Sequence, residues 1–265
     1  MVFIINNMIM KLLQSIGATF LDFLSLTGNF VIFVFNSVVS IFLRPIYFKN
    51  ILKQMLEIGY YSLPVVGLTA IFTGAVLALQ SYSGFTRFSA EGAIPMVVAL
   101  SVTRELGPVL AGLMVAGRIG ASIAAEIATM RVTEQIDALK TLSTCPIRYL
   151  VVPRLIAAIL MMPCLVIIAD IIGIMGGYLV SVYSLNFNPG SYLDNTIKHL
   201  EYMDVMSGLV KSGAFGFIIA IVGCYFGYNS DKGAQGVGKA TTNAVVLSSI
   251  LILLTNYFMT QIFFT

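Results

Sequence analysis

Charged residues inside an otherwise apolar stretch are the first candidates for chemistry in this sequence. Arg104 and Glu105 interrupt the mainly apolar residues 92–125, and Pro108, which follows them, is expected to kink a helix. Charge within an apolar helix is costly and marks a functional site unless it has a structural partner. The pair therefore indicates either a polar patch in a cavity or a buried pair that fixes the register of a helix.

Two further ionisable residues lie in apolar surroundings. Lys211 begins the fourth apolar stretch, where its ammonium either meets a phosphate as a point charge or extends to a membrane interface. Lys211 is also a candidate partner for Arg104 and Glu105. Asp170 is alone in the third apolar stretch. A helix–helix hydrogen bond is the expected role of Asp170, and ion transport is the alternative.

A polar segment between the second and third apolar stretches predicts a short amphipathic helix. Thr133 is expected to cap this helix, and Glu134 to lie in its first turn, where the helix dipole favours an acidic residue. Its apolar positions are Ile136, Leu139 and Leu142, and its polar positions are Gln135, Asp137 and Lys140. Such a helix either docks into a groove on a soluble partner or rests on the membrane surface as a connector.

Residues 233–239 match the opening of a phosphate-binding loop, but the sequence predicts no nucleotide site there. Lys239 is followed by Ala240 in place of the Ser or Thr that binds Mg²⁺, and no strand precedes the segment. A flexible turn with Lys239 at the membrane surface is expected. Catalytic triads, zinc patterns and acidic metal motifs are also lacking, so neither a cofactor nor enzymatic activity is expected.

Composition places the chain among membrane proteins. Of its 265 residues, 58% are hydrophobic and 10% charged, whereas soluble domains average about 25% charged residues. The net charge of +3 is too small to argue for nucleic acid binding. Cys145, Cys164 and Cys224 are far apart in the sequence and are expected to be small buried apolar side chains.

Stretches with few charges predict five membrane-spanning helices, since a span needs about 20 mostly apolar residues. The predicted spans are residues 60–82, 92–125, 155–183, 207–230 and 240–263. Residues 23–43 are also free of charge, but their polar residues fall on one arc of a helix. This arc favours an amphipathic helix in the membrane interface, and a sixth span with a polar seam is the alternative.

The distribution of Lys and Arg predicts the orientation of the chain. Basic residues concentrate before the first span, between the second and third, and between the fourth and fifth. Because cytoplasmic loops carry the excess of basic residues, the N-terminus is expected in the cytoplasm and the C-terminus outside. Residues 184–206 then form an outer loop, in which a short helix is expected.

Several blocks of this sequence resemble the MlaE (YrbE-type) permease family of ABC phospholipid transporters. The blocks are Thr-Arg-Glu-Leu-Gly-Pro from residue 103, Thr-Glu-Gln-Ile-Asp-Ala-Leu from residue 133, Tyr-Leu-Val-Val-Pro-Arg from residue 149 and Lys-Ala-Thr-Thr-Asn-Ala-Val-Val from residue 239. The resemblance extends over roughly residues 45–265. The first two blocks are long and specific, unlike an isolated glycine pattern.

The resemblance implies an all-α membrane protein with an N-terminal interfacial helix, five transmembrane helices and a cytoplasmic coupling helix. The interfacial segment would be residues 1–45 and the permease domain residues 46–265. The implied assembly is a homodimer with two ABC ATPase subunits, a ring of MCE-domain subunits outside, and a STAS-domain protein as a further candidate partner. The residues that would line a phospholipid cavity are Arg104, Glu105, Leu77 and Lys211. Those that would contact the ATPase are Thr133, Glu134, Gln135, Ile136, Asp137 and Leu139.

The function implied by the resemblance is movement of phospholipids between the inner membrane of a Gram-negative-type bacterium and the MCE partner. This transport would help to maintain outer-membrane lipid asymmetry, and ATP hydrolysis would belong to the separate ATPase. Two alternatives remain from the residues themselves. One is an ion-coupled secondary transporter that uses Asp170 or the Arg104–Glu105 pair, and the other is a scaffold that only anchors a complex.

Overall fold

The first described element is the forty-residue helix α1, Val2–Ile41. The computed structural model describes residues 2–45 and 47–264, and within α1 the side chains of residues 17, 18, 21 and 24 onward. The chain divides into two compact units, Met1–Ile46 and Tyr47–Thr265. The part of α1 from Leu24 to Ile41 is long and apolar enough to cross a membrane. Length and composition thus allow both a span and an interfacial helix, and the interfacial location of residues 23–43 stays a prediction.

The second unit is helical throughout, without strands in its described residues. Its α-helices are α2 (Phe48–Ile58), α3 (Leu63–Phe85), α4 (Ile94–Ser101), α5 (Gly107–Val115), α6 (Ala121–Val132), α7 (Gln135–Thr141), α8 (Val152–Tyr183), α9 (Pro189–His199), α10 (Tyr202–Tyr228) and α11 (Ala234–Phe264). By length and composition, five of its helical stretches can span a membrane: Phe48–Phe88, Glu91–Val132, Ile147–Tyr183, Tyr202–Tyr228 and Ala234–Phe264. The predicted class, an all-α membrane protein, is confirmed.

Helical structure extends beyond several of the predicted spans, whose limits in the membrane stay a prediction. The first span was expected over residues 60–82, but helical structure runs over Phe48–Phe88, since a 3₁₀ turn joins α2 directly to α3. The last helix begins at Ala234, so residues 234–239 are helical where a flexible turn was expected. The turn is short because Gly233 adopts a φ of 92°, a left-handed conformation that glycine tolerates, immediately before the helix.

The second span contains two π-helical turns. One covers Val102–Leu106 and the other Ala116–Gly120. In the first turn the Gly107 N–H donates to the Val102 carbonyl, five residues back. Pro108 follows at the start of α5 and has no N–H to continue the ordinary helical pattern. Wide turns of this kind occur often at functional sites, and this one carries Arg104 and Glu105.

Glycines allow the spans to approach closely. A Cβ on Gly74 of α3 would lie 1.8 Å from the carbonyl oxygen of Gly173 on α8. A Cβ on Gly227 of α10 would lie 2.8 Å from the carbonyl oxygen of Ala124 on α6. Helix α8 thus packs between α3 and α10, and α10 also packs against α6 and α11. Small residues serve the same purpose in membrane bundles generally.

The predicted outer loop contains helix α9, as expected. The Asn188 side chain caps it by accepting hydrogen bonds from the N–H groups of Gly190 and Ser191 at 3.0 and 3.2 Å. The prediction for the cysteines is wrong in two of three cases. Cys224 is buried, whereas Cys145 and Cys164 are exposed. Cys164 lies on an exposed face of α8, and Cys145 lies in the connection that follows α7.

Candidate functional site

The π-turn of the second span directs Arg104 and Glu105 towards different partners. The Arg104 guanidinium pairs with Asp204 near the start of α10, and the Glu105 carboxylate pairs with Lys211, farther along the same helix. The two residues do not pair with each other. Of the partners considered from the sequence, Lys211 is the one that the structure brings to Glu105.

Lys211 lies at the centre of this group, and its side chain is fully buried. Its Nζ donates to Glu105 Oε1 at 2.8 Å, to the Arg104 carbonyl oxygen at 2.9 Å and to Thr260 Oγ1 at 2.7 Å. These three bonds use all the donors of an ammonium group. Lys211 therefore neither extends to an interface nor offers a free N–H to a phosphate, which corrects both roles expected for its side chain.

The last helix completes the surroundings of Glu105. Asn256 Nδ2 donates to Glu105 Oε2 at 2.8 Å, and Thr260 Oγ1 lies 2.8 Å from Oε1. Asn256 and Thr260 are four residues apart on α11 and so share one face of that helix. About 37% of the Glu105 side chain remains exposed. The carboxylate is thus fixed in position while part of its surface stays accessible.

Arg104 is held in a similar way by a buried acid. Its Nε and Nη2 both lie 2.6 Å from Asp204 Oδ1. The other oxygen of Asp204 accepts a hydrogen bond from the Glu201 N–H at 3.0 Å and so caps α10. The guanidinium also stacks over the Phe264 ring, 4.4 Å from its centroid. The Asp204 side chain is 1% exposed and that of Arg104 35% exposed.

We call the four residues Arg104, Asp204, Glu105 and Lys211 the charge network. Its formal charge is zero, and each pair consists of one buried and one partly exposed member. Buried ions are tolerated when paired and hydrogen-bonded, as these are. The accessible groups are a guanidinium and a carboxylate on adjacent residues. This arrangement can bind a polar group that carries both a negative and a positive charge.

Leu77, also expected in the same cavity, lies in a neighbouring groove on α3. The groove has a volume of about 440 Å³, and Leu77 and Phe72 line it together with Leu106. Leu106 follows Glu105 in the chain, so the groove adjoins the π-turn. No member of the charge network lines the groove. Leu77 also packs against the buried side chains of Ala78 and Val98.

The predicted amphipathic helix is present as α7, with a different first turn. The Thr133 hydroxyl donates to the Thr129 carbonyl and so ends α6, whereas Glu134, with a φ of 59°, is the residue before α7. The expected capping by Thr133 and the placement of Glu134 in the first turn are therefore wrong. The left-handed backbone at Glu134 separates the two helices, and Thr133 is the residue that follows α6 at its C-terminal end.

The apolar side of α7 packs inward, and its polar side is exposed. Ile136 is buried and Leu139 half-buried, whereas Gln135 is exposed. Leu142, predicted on the apolar side, follows the last residue of α7 and is 74% exposed. Asp137, also exposed, pairs with Lys140 at 2.8 Å. The hydrogen bond and the charge of Lys140 hold the pKa of the Asp137 carboxyl below its usual value. Helix α7 therefore presents a charged face that a second protein can contact.

Asp170 was expected to make a helix–helix hydrogen bond, but its Oδ1 atom makes none within the described part of the chain. This oxygen is buried and has no hydrogen-bond partner among the residues that the structure describes. It lies so close to Gly107 that a Cβ there would be 1.8 Å away. Asp170 thus packs α8 against the second span at the end of the π-turn, where only glycine leaves room.

Sequence reasoning missed four residues of the site, namely Asp204, Asn256, Thr260 and Phe264. A signal for two of them exists, because Asn256 and Thr260 are polar residues four apart in the mostly apolar second half of α11. The contact of Phe264 with Arg104 has no such signal. Clusters of His, Cys, Asp or Glu that could hold a metal ion are absent from the described parts of the chain.

The fold and the charge network define a multi-pass membrane protein with a polar site inside its bundle. The family model described as Permease MlaE matches residues 51–262. A "Probable ABC transporter permease protein" of Rickettsia felis is 64% identical over 97% of this chain and 99% of its own. A protein of the same description from Synechocystis is 44% identical over 82% of each chain.

A third relative is the "Intermembrane phospholipid transport system permease protein MlaE" of Haemophilus influenzae. It is 33% identical over 97% of this chain and 99% of its own. The chain belongs to the MlaE permease family. It is thus a permease-type membrane subunit of an ABC transporter, as the sequence blocks indicated.

Proposed function

We propose that this permease moves glycerophospholipids between the inner, cytoplasmic membrane and an MCE-domain partner on the outer side, and so helps to maintain outer-membrane lipid asymmetry. The observation that carries the proposal is the charge network. Arg104 and Glu105 are held by buried partners yet remain about one-third exposed. A fixed guanidinium suits the phosphate of a lipid, and a neighbouring carboxylate suits its amine.

The hydrophobic part of the substrate has a matching surface. Leu77 and Phe72 line an open apolar groove that adjoins the π-turn through Leu106. Acyl chains in this groove would place the headgroup near Glu105. Lys211 contributes indirectly, because its buried ammonium positions the Glu105 carboxylate. In a homodimer, the second subunit would enclose the lipid in a cavity at the interface.

The energy source in this proposal is a separate ABC ATPase that contacts α7. The exposed polar face of α7 suits such a contact, and its buried side connects it to the bundle through Ile136. ATP-driven movement of the ATPase would pass through α7 into α6 and on to the π-turn of the same span. Thr133, Glu134, Gln135, Asp137 and Leu139 are the other proposed contact residues.

The proposed assembly places the N-terminus in the cytoplasm and the C-terminus in the periplasm. The basic residues between the second and third spans support this orientation. In the proposed system, the outer end of the bundle meets a ring of MCE-domain subunits. A STAS-domain protein would bind the ATPase and not this chain.

Lipid transfer by the reconstituted complex tests the site. The permease is co-purified with its ATPase and MCE partners, and the transfer of a fluorescent phospholipid between vesicles is measured. Replacing both Arg104 and Glu105 with Gln, which can still hydrogen-bond to the buried Asp204 and Lys211, should abolish transfer while the complex still assembles. The matched control replaces Arg87 and Glu91, an exposed Arg and Glu outside the charge network, with Gln. Equal transfer by both double variants would refute the proposed lipid site.

The coupling role of α7 needs its own variant. Glu134→Lys reverses a charge on the exposed surface and should leave ATP hydrolysis intact while lipid transfer is lost. Glu91→Lys, the same change in an exposed turn at the other end of the span, should alter neither. Unchanged transfer in Glu134→Lys would contradict the coupling role. Solute transport by the chain alone along an ion gradient would instead support the secondary-transporter alternative.

A further inference from the structure

A second polar cleft lies between α2, the Tyr60–Ser62 turn and α6, away from the charge network. Its volume is about 410 Å³, and its polar lining residues are Gln54, Glu57, Tyr61, Arg118, Ser122 and Glu126. From Glu105 to Arg118 the distance along the span is about 20 Å, at 1.5 Å per residue. The cleft therefore lies on the α7 side of the bundle, where the basic connections are found.

The wall that α6 and the second π-turn contribute is polar over two helical turns. Arg118, Ser122 and Glu126 follow each other at intervals of four residues and so share one face. This face belongs to a helix that is otherwise long and apolar enough to span a membrane. Polar faces in such helices are costly unless they line a water-filled or ligand-filled space. Pairing with Arg154 accounts for Glu126, but the charge of Arg118 is not balanced by a carboxylate among the described residues.

Arg118 is anchored at one nitrogen and accessible at the others. Its Nη1 donates to the buried Ser62 Oγ at 2.8 Å and lies 3.4 Å from the Glu57 carbonyl oxygen. In the described part of the chain, no carboxylate lies within ion-pair distance of Arg118. The side chain is exposed to the cleft. The guanidinium is thus fixed in direction, with charge and donors left for a ligand.

A smaller recess of about 130 Å³ adjoins the cleft, and the two share Gln54 and Glu126. Lys53 and Arg154 also line this recess. The charge of Arg154 is already balanced, since its Nη2 lies 2.7 Å from Glu126. Lys53 has no ion-pair partner among the described residues, and the same holds for Glu57 in the larger cleft. The unbalanced charges are therefore two cations and one carboxylate.

We propose that this cleft binds the phosphate ester of a glycerophospholipid headgroup, with Arg118 as the phosphate ligand. Glu57 receives the amine of a zwitterionic headgroup, and Lys53 lies at the rim. A lipid fits better than free phosphate, because the exposed Tyr61 lines the cleft. The exposed side chains of Leu56 and Tyr60 are neighbours of lining residues in the chain, on α2 and the turn after it. These apolar surfaces can hold acyl chains beside the polar cleft.

This site goes beyond the proposed transport function. Lipid binding to it can be measured without ATP and without a partner protein. It is a second lipid site on the same chain, so the test isolates it from the first. Lipid binding is measured by native mass spectrometry on the full-length protein in which Arg104 and Glu105 are replaced with Gln, which can still hydrogen-bond to Asp204 and Lys211. Phosphatidylethanolamine, phosphatidylglycerol and inorganic phosphate are each titrated as probes.

Arg118→Gln should weaken phosphatidylethanolamine binding roughly tenfold, the typical effect of losing one charge-assisted hydrogen bond. Arg87→Gln, a change at an exposed arginine outside the cleft, should leave binding as it was. Unaltered binding in Arg118→Gln would overturn the proposal. Inorganic phosphate that displaces the lipid at equal concentration would also overturn it, because the cleft would then be a site for free phosphate.

Because Arg118 also donates a hydrogen bond to the buried Ser62, Arg118→Gln could disturb the fold. A second variant tests the site without this change. Glu57→Gln removes the carboxylate and leaves Arg118 and its anchor unchanged. We expect Glu57→Gln to weaken phosphatidylethanolamine binding and to strengthen binding of the anionic phosphatidylglycerol, so that the ratio of the two affinities falls several-fold. An unchanged ratio would overturn the assignment of Glu57 and of a zwitterionic headgroup, whether or not Arg118→Gln folds.

Discussion

The Nζ of Lys211 donates a hydrogen bond to the main-chain carbonyl oxygen of Arg104 at 2.9 Å. In a regular helix this carbonyl would accept from the N–H of residue 108, but that residue is proline and has none. An unsatisfied carbonyl inside a membrane bundle is costly. The lysine that fixes Glu105 thus also satisfies the backbone at the π-turn, which links the shape of the helix to the position of its charges.

The double role of Lys211 predicts a large effect of its removal. Lys211→Met should lower the free energy of unfolding by about 3 kcal/mol, because it leaves Glu105 and the Arg104 carbonyl without their donor. The measurement is thermal or denaturant unfolding of the protein in detergent. Glu105→Gln should lower stability less, since the Glu105 side chain is 37% exposed and water can replace part of the interaction.

A matched lysine separates this effect from a general loss of charge. Lys198→Met changes an exposed residue of α9 and should alter the free energy of unfolding by no more than about 0.5 kcal/mol. In the variant that combines Lys211→Met with Glu105→Gln, the two losses should be less than additive. Strict additivity, or equal effects of the two lysine variants, would show that the network is not coupled.

A second prediction concerns the contact of Gly107 with Asp170. A Cβ at residue 107 would lie 1.8 Å from Asp170 Oδ1, so Gly107→Ala should lower the free energy of unfolding by about 2 kcal/mol, a typical result of overpacking. Asp170→Ala in the same chain should restore part of this loss by making room. Gly117→Ala, in the same span with nothing within 4 Å of the new Cβ, should be tolerated. No recovery in the double variant would argue against the contact.

A backbone contact between α3 and α8 should behave differently. A Cβ on Gly74 would lie 1.8 Å from the Gly173 carbonyl oxygen, whereas a Cβ on Gly84 of the same helix meets nothing within 4 Å. Gly74→Ala should therefore lower the free energy of unfolding by about 2 kcal/mol or more, because a backbone carbonyl cannot rotate away as a side chain can. Gly84→Ala should be neutral or slightly stabilising, as alanine favours the helix. Equal unfolding temperatures of the two variants would contradict the observed packing.

The exposed pair on α7 predicts a titration. Because Lys140 lowers the pKa of Asp137, the ion pair is intact at neutral pH and is lost only as the pH falls through the lowered pKa. Carbon NMR of labelled aspartate in the purified protein should give a midpoint below that of an ordinary aspartate. Lys140→Gln should move the midpoint up, and Lys239→Gln should leave it in place. A midpoint that Lys140→Gln leaves unchanged would rule out the pair in solution.

Much of the fold followed from local patterns of hydrophobicity. Apolar stretches predicted the five helical stretches of the second unit that are long and apolar enough to span a membrane, and a short helix was expected where α9 lies. The boundaries were less accurate where helices continue beyond the apolar segment, as at Phe48 and Ala234. Polar residues occur at the ends of helices as readily as in loops, so composition does not show where such a helix ends. The predicted start of α7 at Thr133 was also wrong, because Glu134 has a left-handed conformation and separates Thr133 from the helix. A glutamate in the sequence does not signal such a conformation.

The sequence by itself determined the membrane class, the family and the presence of charge inside the second span. These features depend on composition, on periodicity and on contiguous blocks of residues, all of which are local in the chain. Only the tertiary structure decided that Lys211 joins Glu105, that Asp204 joins Arg104 and that α11 supplies Asn256. Such contacts connect residues some 100 positions or more apart, and their choice depends on how the spans pack. The glycine contacts between helices set that packing and thereby determine which charges meet.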